Sequence, residues 1–179
     1  MLSDLADGYK YDKSETVASP IIVKNTLVDY AAMVKREGGK SKVSNVLVID
    51  MDAIKNSLGI VPTPQSMDVA FVVSKSSEYE SGLNKSIKLT KKYILADFKF
   101  NVTSPDKVDK NISNDDIKGK FDFSISYIRE KDINIPCCNF AYFIFNDTNY
   151  QQIRNRWSRR NLNSPKNMAV KQSDFETLF

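Results

Sequence analysis

Histidine is absent from the 179-residue chain, and with it go Ser-His-Asp and Cys-His nucleophilic sites, His-ligated zinc and imidazole general bases. Cysteine is nearly absent. The two present, Cys137 and Cys138, are sequence neighbours, a spacing that rarely allows a disulfide between them, so the chain reads as one from a reducing compartment. No apolar run reaches the roughly 18 to 20 residues of a membrane span. The start, Met1-Leu-Ser-Asp-Leu-Ala-Asp7, has neither the basic stretch nor the apolar core of a signal peptide. These absences predict a soluble, cytoplasmic protein with no membrane partner. Any catalysis must rest on carboxylates, Lys, Tyr, Ser or a hard metal ion.

The length fits one domain with a sizeable core. Lys and Arg number 26 against 22 Asp and Glu, and the excess is local: residues 151–179 hold six bases and two acids, while residues 1–150 are balanced. Residues 1–19 are polar without a period and read as a poorly ordered arm, residues 20–160 as the domain, and 161–179 as a polar tail. Helical spacing of Leu27, Val28, Ala31 and Ala32, stopped by Gly38-Gly39, predicts a helix over about 26–37. Val46-Leu-Val-Ile49 suits a buried strand, Asp68–Val73 a second and Tyr93–Val102 a third. The Ser/Lys-rich stretch 74–92 between the last two reads as a long, mobile hairpin. Ser113 opens a second helix whose apolar face carries Ile117, Phe121, Ile125 and Ile128. Phe140–Phe145 is a fourth strand with the continuous apolar run of one covered on both faces, and 149–160 reads as a further helix. The expected fold is α/β: a mixed four-stranded sheet flanked by helices, in the order helix-strand-strand-strand-helix-strand.

One constellation carries chemistry. In Leu95-Ala-Asp97-Phe-Lys99 the strand period of two puts Asp97 and Lys99 on the same face, and burying two charges on an apolar strand requires partners or a metal. If Asp68 opens the adjacent antiparallel strand, two carboxylates and an ammonium converge. Paired carboxylates suit Mg²⁺ or Mn²⁺, which grip phosphate oxygens, and a lysine beside them can serve the attacking water.

This Asp68…Asp97-x-Lys99 spacing, within that element order, resembles the PD-(D/E)xK nuclease superfamily, whose restriction-endonuclease-like fold would cover roughly residues 26–146. The resemblance implies that Asp68 and Asp97 hold a divalent metal, that the carbonyl of Phe98 joins them, and that Lys99 is the catalytic lysine. Met67 stands where the motif has proline, and Asp97 where it more often has Glu. A carboxylate of the first helix often joins such sites, which nominates Asp29 or Glu37, and the second helix often contributes a polar side chain, here Lys118, Lys120 or Ser124.

Two further segments bear on function. Val46-Leu-Val-Ile-Asp50-Met-Asp52 resembles the nucleophile strand of haloacid-dehalogenase-like phosphatases, but no Gly-Thr follows Asp52, so the two acids read as marking a strand that leaves the core. Arg154, Arg156, Arg159 and Arg160 with the single tryptophan, Trp157, form a short basic stretch suited to phosphate contact and base stacking, or to a docked helix with a wet basic face. The sequence thus supports a metal-dependent nuclease or nuclease-derived protein acting on nucleic acid. Its alternative is a catalytically silent module that binds a protein, such as an immunity or accessory protein.

Overall fold

The protein, described here by a computed structural model over residues 8–81, 84–162 and 167–179, is a three-layer α/β structure built on an open seven-stranded mixed sheet. Its strands are β1 (Lys10–Tyr11), β2 (Leu27–Asp29), β3 (Leu47–Asp50), β4 (Val69–Ser81), β5 (Asn84–Phe98), β6 (Cys137–Phe145) and β7 (Asn167–Lys171). They lie in the order β2-β3-β4-β5-β6-β7, with β1 added to β4 beyond the end of β3. Pairing is antiparallel from β2 to β5 and parallel from β5 to β7. The parallel pairs need crossovers, and helices supply them: α4 (Pro105–Asn111) and α5 (Asn114–Lys131) between β5 and β6, and α6 (Tyr150–Arg159) between β6 and β7.

Alternation along the central strands sorts their side chains between two cores. On one face Ala70, Val72, Tyr93, Leu95, Ala141, Phe143 and Phe145 pack under α5 and α6; on the other Val69, Phe71, Val73, Ile94, Ala96, Tyr142 and Ile144 pack under α2 (Tyr30–Arg36) and α7 (Gln172–Phe175). Cys137 and Cys138 fall to opposite faces, so no disulfide joins them. The second helix starts as its sequence proposes, with Ser113 Oγ accepting the Asp116 N–H at 3.0 Å.

Several boundaries differ from the sequence reading, each for a local reason. The first helix begins only at Tyr30, because Asp29 caps it through the Ala32 N–H (3.1 Å) and residues 27–29 pair with β3. The strand at Val46 ends at Asp50, whose side chain caps α3 (Met51–Ser57) through Ala53 N–H. Residues 74–92 are regular strand on both sides of residues 82–83, which lie outside the described set; from Lys75 and Lys92 outward β4 and β5 pair only with each other. The sheet has seven strands and not four because both ends of the chain join it, as β1 and β7, and because residues 27–29 form β2 where a helix is expected. In the segment read as an unordered arm, β1 pairs with β4 and α1 (Lys13–Val17) follows, while Tyr11 donates to the Leu47 carbonyl at 2.7 Å. In the segment read as a tail, β7 pairs with β6, and Phe175 and Phe179 enter an aromatic cluster with Tyr30 and Phe71. Residues 1–7 of that arm and 163–166 of that tail are not among those described.

After α2, Gly38 takes a left-handed φ of 86° and the Gly39 N–H donates to the Val34 carbonyl at 2.8 Å, a glycine-closed helix end. A side chain at Gly39 would lie 2.5 Å from the Phe100 ring, so the turn presses directly on the residue that follows Lys99.

Candidate active site

The β4–β5 ladder runs without a bulge from Ser81↔Asn84 to Val69↔Ala96, and its next step sets Asp68 opposite Asp97. Here regular pairing stops. The Asp68 N–H still donates to the Ala96 carbonyl (3.0 Å), but the Phe98 N–H donates to the Asp68 side chain, to Oδ2 at 2.6 Å, while the Asp68 carbonyl accepts the Met51 N–H. Both carboxylates therefore lie on the face covered by α5, at the end of the sheet where β5 leaves it. Asp97 is fully buried and Asp68 is 6% exposed.

Two ammonium groups answer them. Lys99 contacts Asp97 Oδ1 from the same strand end. Lys120, from the second turn of α5, donates to Asp97 Oδ2 at 2.5 Å and stands 4.0 Å from Asp68 Oδ1, so one cation lies within reach of both carboxylates. These four side chains, with Arg36, Glu37, Phe98, Asn101 and Asn111, line a polar cleft of about 270 Å³. Burial, and next the charge of Asp97, push the Asp68 carboxyl up to about 8, against Lys120, the Phe98 N–H and Lys99. Burial disfavours the charged form of Lys120, yet Asp97 and Asp68 together outweigh it and hold this lysine above its ordinary range.

The structure thus brings together Asp68, Asp97, Phe98 and Lys99, and adds Lys120 and Glu37 from the sets the sequence offered. Ser124 is buried and spent on the fold, accepting the Met67 N–H at 2.9 Å, and Lys118 is exposed. Arg36, Asn101 and Asn111 were not foreseen. Arg36 lies in the last turn of α2 and bridges Glu37 to Asp50, at 3.1 and 2.6 Å. That bridge, with its capping role, occupies Asp50, and Asp52 is held by Ser66 and Lys55, so the phosphatase-like pair is structural.

The basic stretch is placed differently. Trp157 is fully buried, its ring 5.1 Å from that of Phe143 and 5.6 Å from that of Phe145, so it fills the core and stacks on no base. Arg156 and Arg160 share Asp109 of α4, and Arg160 also donates to the Val108 and Ile112 carbonyls at 2.8 Å, closing the end of that helix. Arg154 is half-buried and Arg159 exposed. The amphipathic spacing of Ile153 and Trp157 against the arginines is that of a docked helix.

Whether the cleft suits a hard divalent cation is answered by its donors. Asp97 Oδ1 is buried and is paired with the Lys99 ammonium. It lies in the same cleft as the Asp68 carboxyl, and two carboxylates are the oxygen donors a hard divalent cation takes; Glu37, which also lines the cleft, is paired with Arg36. Among the described residues no group of three or more Asp, Glu, Cys or His is arranged to hold a metal ion. No family model, curated protein or solved structure matches this chain. No described helix is long and apolar enough to cross a membrane.

Proposed function

We propose that the protein is a divalent-metal-dependent nuclease, or a close derivative of one, of the PD-(D/E)xK type. The observation that carries this reading is the convergence of Asp68, Asp97 and Lys99 in one polar cleft, from two paired strands at the same end of the sheet. The reading draws also on the succession of α2, β3, β4, β5, α5 and β6 along the chain, with α3 inserted after β3 and α4 before α5. Asp68 and Asp97 would hold Mg²⁺ or Mn²⁺, with the Phe98 carbonyl as the third oxygen. The bound ion supplies charge neutralisation at phosphorus and a more acidic water. Lys99 positions that water and places positive charge beside the phosphate, and Asn101 and Asn111 offer amide donors to the backbone of the nucleic acid. Titration of plasmid and single-stranded cleavage with Mg²⁺ or Mn²⁺ tests the reading: the wild type should cut and Asp97→Ala should not. A wild type that cuts neither substrate in either metal refutes it.

The second reading, a silent module that binds a protein, draws on one observation: Lys99 and Lys120 already neutralise the two carboxylates. Under that reading Lys99→Ala lowers the melting temperature and has no activity to remove.

A further inference from the structure

Lys120 stands out among the cleft's side chains. Lys99 touches one carboxylate, and Arg36 is committed to Asp50 and Glu37. Lys120 alone of these cations reaches both Asp68 and Asp97, with its ammonium 2.5 Å from one carboxylate and 4.0 Å from the other. It comes from a different element, α5, whose neighbouring turn is pinned to the Met67 N–H through Ser124. The helix backbone is therefore fixed relative to the carboxylates while the long lysine side chain retains its rotatable bonds. At 23% side-chain exposure, Lys120 borders solvent at the cleft and has room to leave.

We propose that Lys120 is a resident cation that occupies the metal position in the metal-free protein and is displaced into the cleft when a divalent ion binds. This rests on the metal-dependent reading above. Two carboxylates facing one another across a ladder resist being ionised together, and a buried carboxylate with no cation beside it would destabilise the fold. The Lys120 ammonium bonds Asp97 and places its charge beside Asp68 until a metal arrives. An ion binding to the pair must then compete with a covalently tethered rival, which weakens metal affinity relative to a cleft without the lysine. Once displaced, the same ammonium stands at the mouth of the cleft, where a phosphate oxygen of the substrate is its natural partner. Lys120 is in this sense a positioning residue for the metal pair and a cation handed on to the substrate.

The test is Mn²⁺ binding by calorimetry to the wild type and to Lys120→Gln, with acylation of Lys120 in the wild type followed by mass spectrometry with and without Mn²⁺. Lys120→Gln should melt lower without metal, bind Mn²⁺ about tenfold more tightly or better, and gain more melting temperature on saturation, since tighter ligands stabilise more. In the wild type, saturation with Mn²⁺ should raise the labelling rate of Lys120 severalfold while that of Lys55, paired with Asp52 outside the pair, stays constant. If Lys120→Gln binds Mn²⁺ no tighter while the wild type binds and cleaves, displacement is wrong and the nuclease reading stands. If the wild type neither binds Mn²⁺ nor cleaves, both fall. Should the variant not fold, the labelling experiment decides alone, and an unchanged rate under saturating Mn²⁺ overturns the proposal.

Discussion

The cleft at the end of β4 and β5 and the α4–α6 surface are built from the same material, carboxylates facing cations, yet they are different kinds of place. In the cleft the carboxylates are buried, stand opposite one another and share a cation drawn from a third element. On the α4–α6 surface one exposed carboxylate, Asp109, serves two arginines, and both tie neighbouring helices together. Burial makes the difference. Buried carboxylates are relaxed little by water and must be met by cations held in place, whereas exposed pairs are screened and contribute little. The richer sequence signal, four arginines and a tryptophan, belongs to a docked helix whose tryptophan fills the core, and the sparser one, an Asp-x-Lys, belongs to the candidate site.

The sharpest way to break this comparison is Asp97→Ala, which should remove both Mn²⁺ binding and cleavage. Lys99→Ala should cut cleavage by about 10²- to 10⁴-fold, the range for loss of a proton-handling group, and leave calorimetric Mn²⁺ binding largely intact because lysine donates and does not ligate. On the other surface the large effect is on stability. Trp157→Ala should lose about 3–5 kcal/mol in urea unfolding, as for other buried aromatics, with no specific effect on metal binding.

A smaller effect sharpens the electrostatic contrast. Since the folded Asp68 carboxyl titrates near 8 and the unfolded one near 3.8, the native state holds a proton that the unfolded chain has already released between these values. Stability should therefore be fully present below about 4 and decline as pH rises through 8. Asp68→Asn should flatten that slope in melting curves taken without metal. Asp12 and Asp52, whose carboxyls are held below the usual range, act with the opposite sign and only in the more acidic region. The smallest effect expected is on salt dependence. Alanine at Arg156, Arg159 and Arg160 together should make the slope of log K for nucleic acid against log salt shallower by about one, the contribution of a single phosphate contact, since two of the three are occupied by Asp109. A change near three would return this surface to the nucleic-acid interface.

The parts of the fold legible in the sequence are those with a period or a continuous apolar run. Helix α5 carries a 3.6-residue pattern and β4 and β6 are apolar runs; alternation in β5 puts Asp97 and Lys99 on one face, and the ladder register then sets Asp68 opposite Asp97. The rest depends on contacts distant in sequence. A two-residue strand such as β1 has no period to detect; Tyr11 reveals itself only by reaching Leu47 and packing 5.4 Å from Phe179. The C-terminal aromatics have no pattern until Tyr30 and Phe71 are placed beside them. Lys120 was one of three polar candidates on a solvated-looking helix, and the packing of α5 on β5 selects it. Arg36 gave no signal, since a basic residue in the last turn of a helix already has a reason to be there.

The ladder between β4 and β5 has a constant register from its tip to the carboxylates. Over evolutionary time this imposes a parity rule on insertions and deletions. Matched additions, one residue on each strand, lengthen the hairpin at the far end and leave Asp68 facing Asp97. A single unmatched residue in the body of either strand turns one carboxylate to the opposite core unless a bulge absorbs it. The hairpin's reach is thus free to drift among descendants of this chain, while its symmetry is not, and a length difference split evenly between the two strands would be the mark of a lineage still keeping its site.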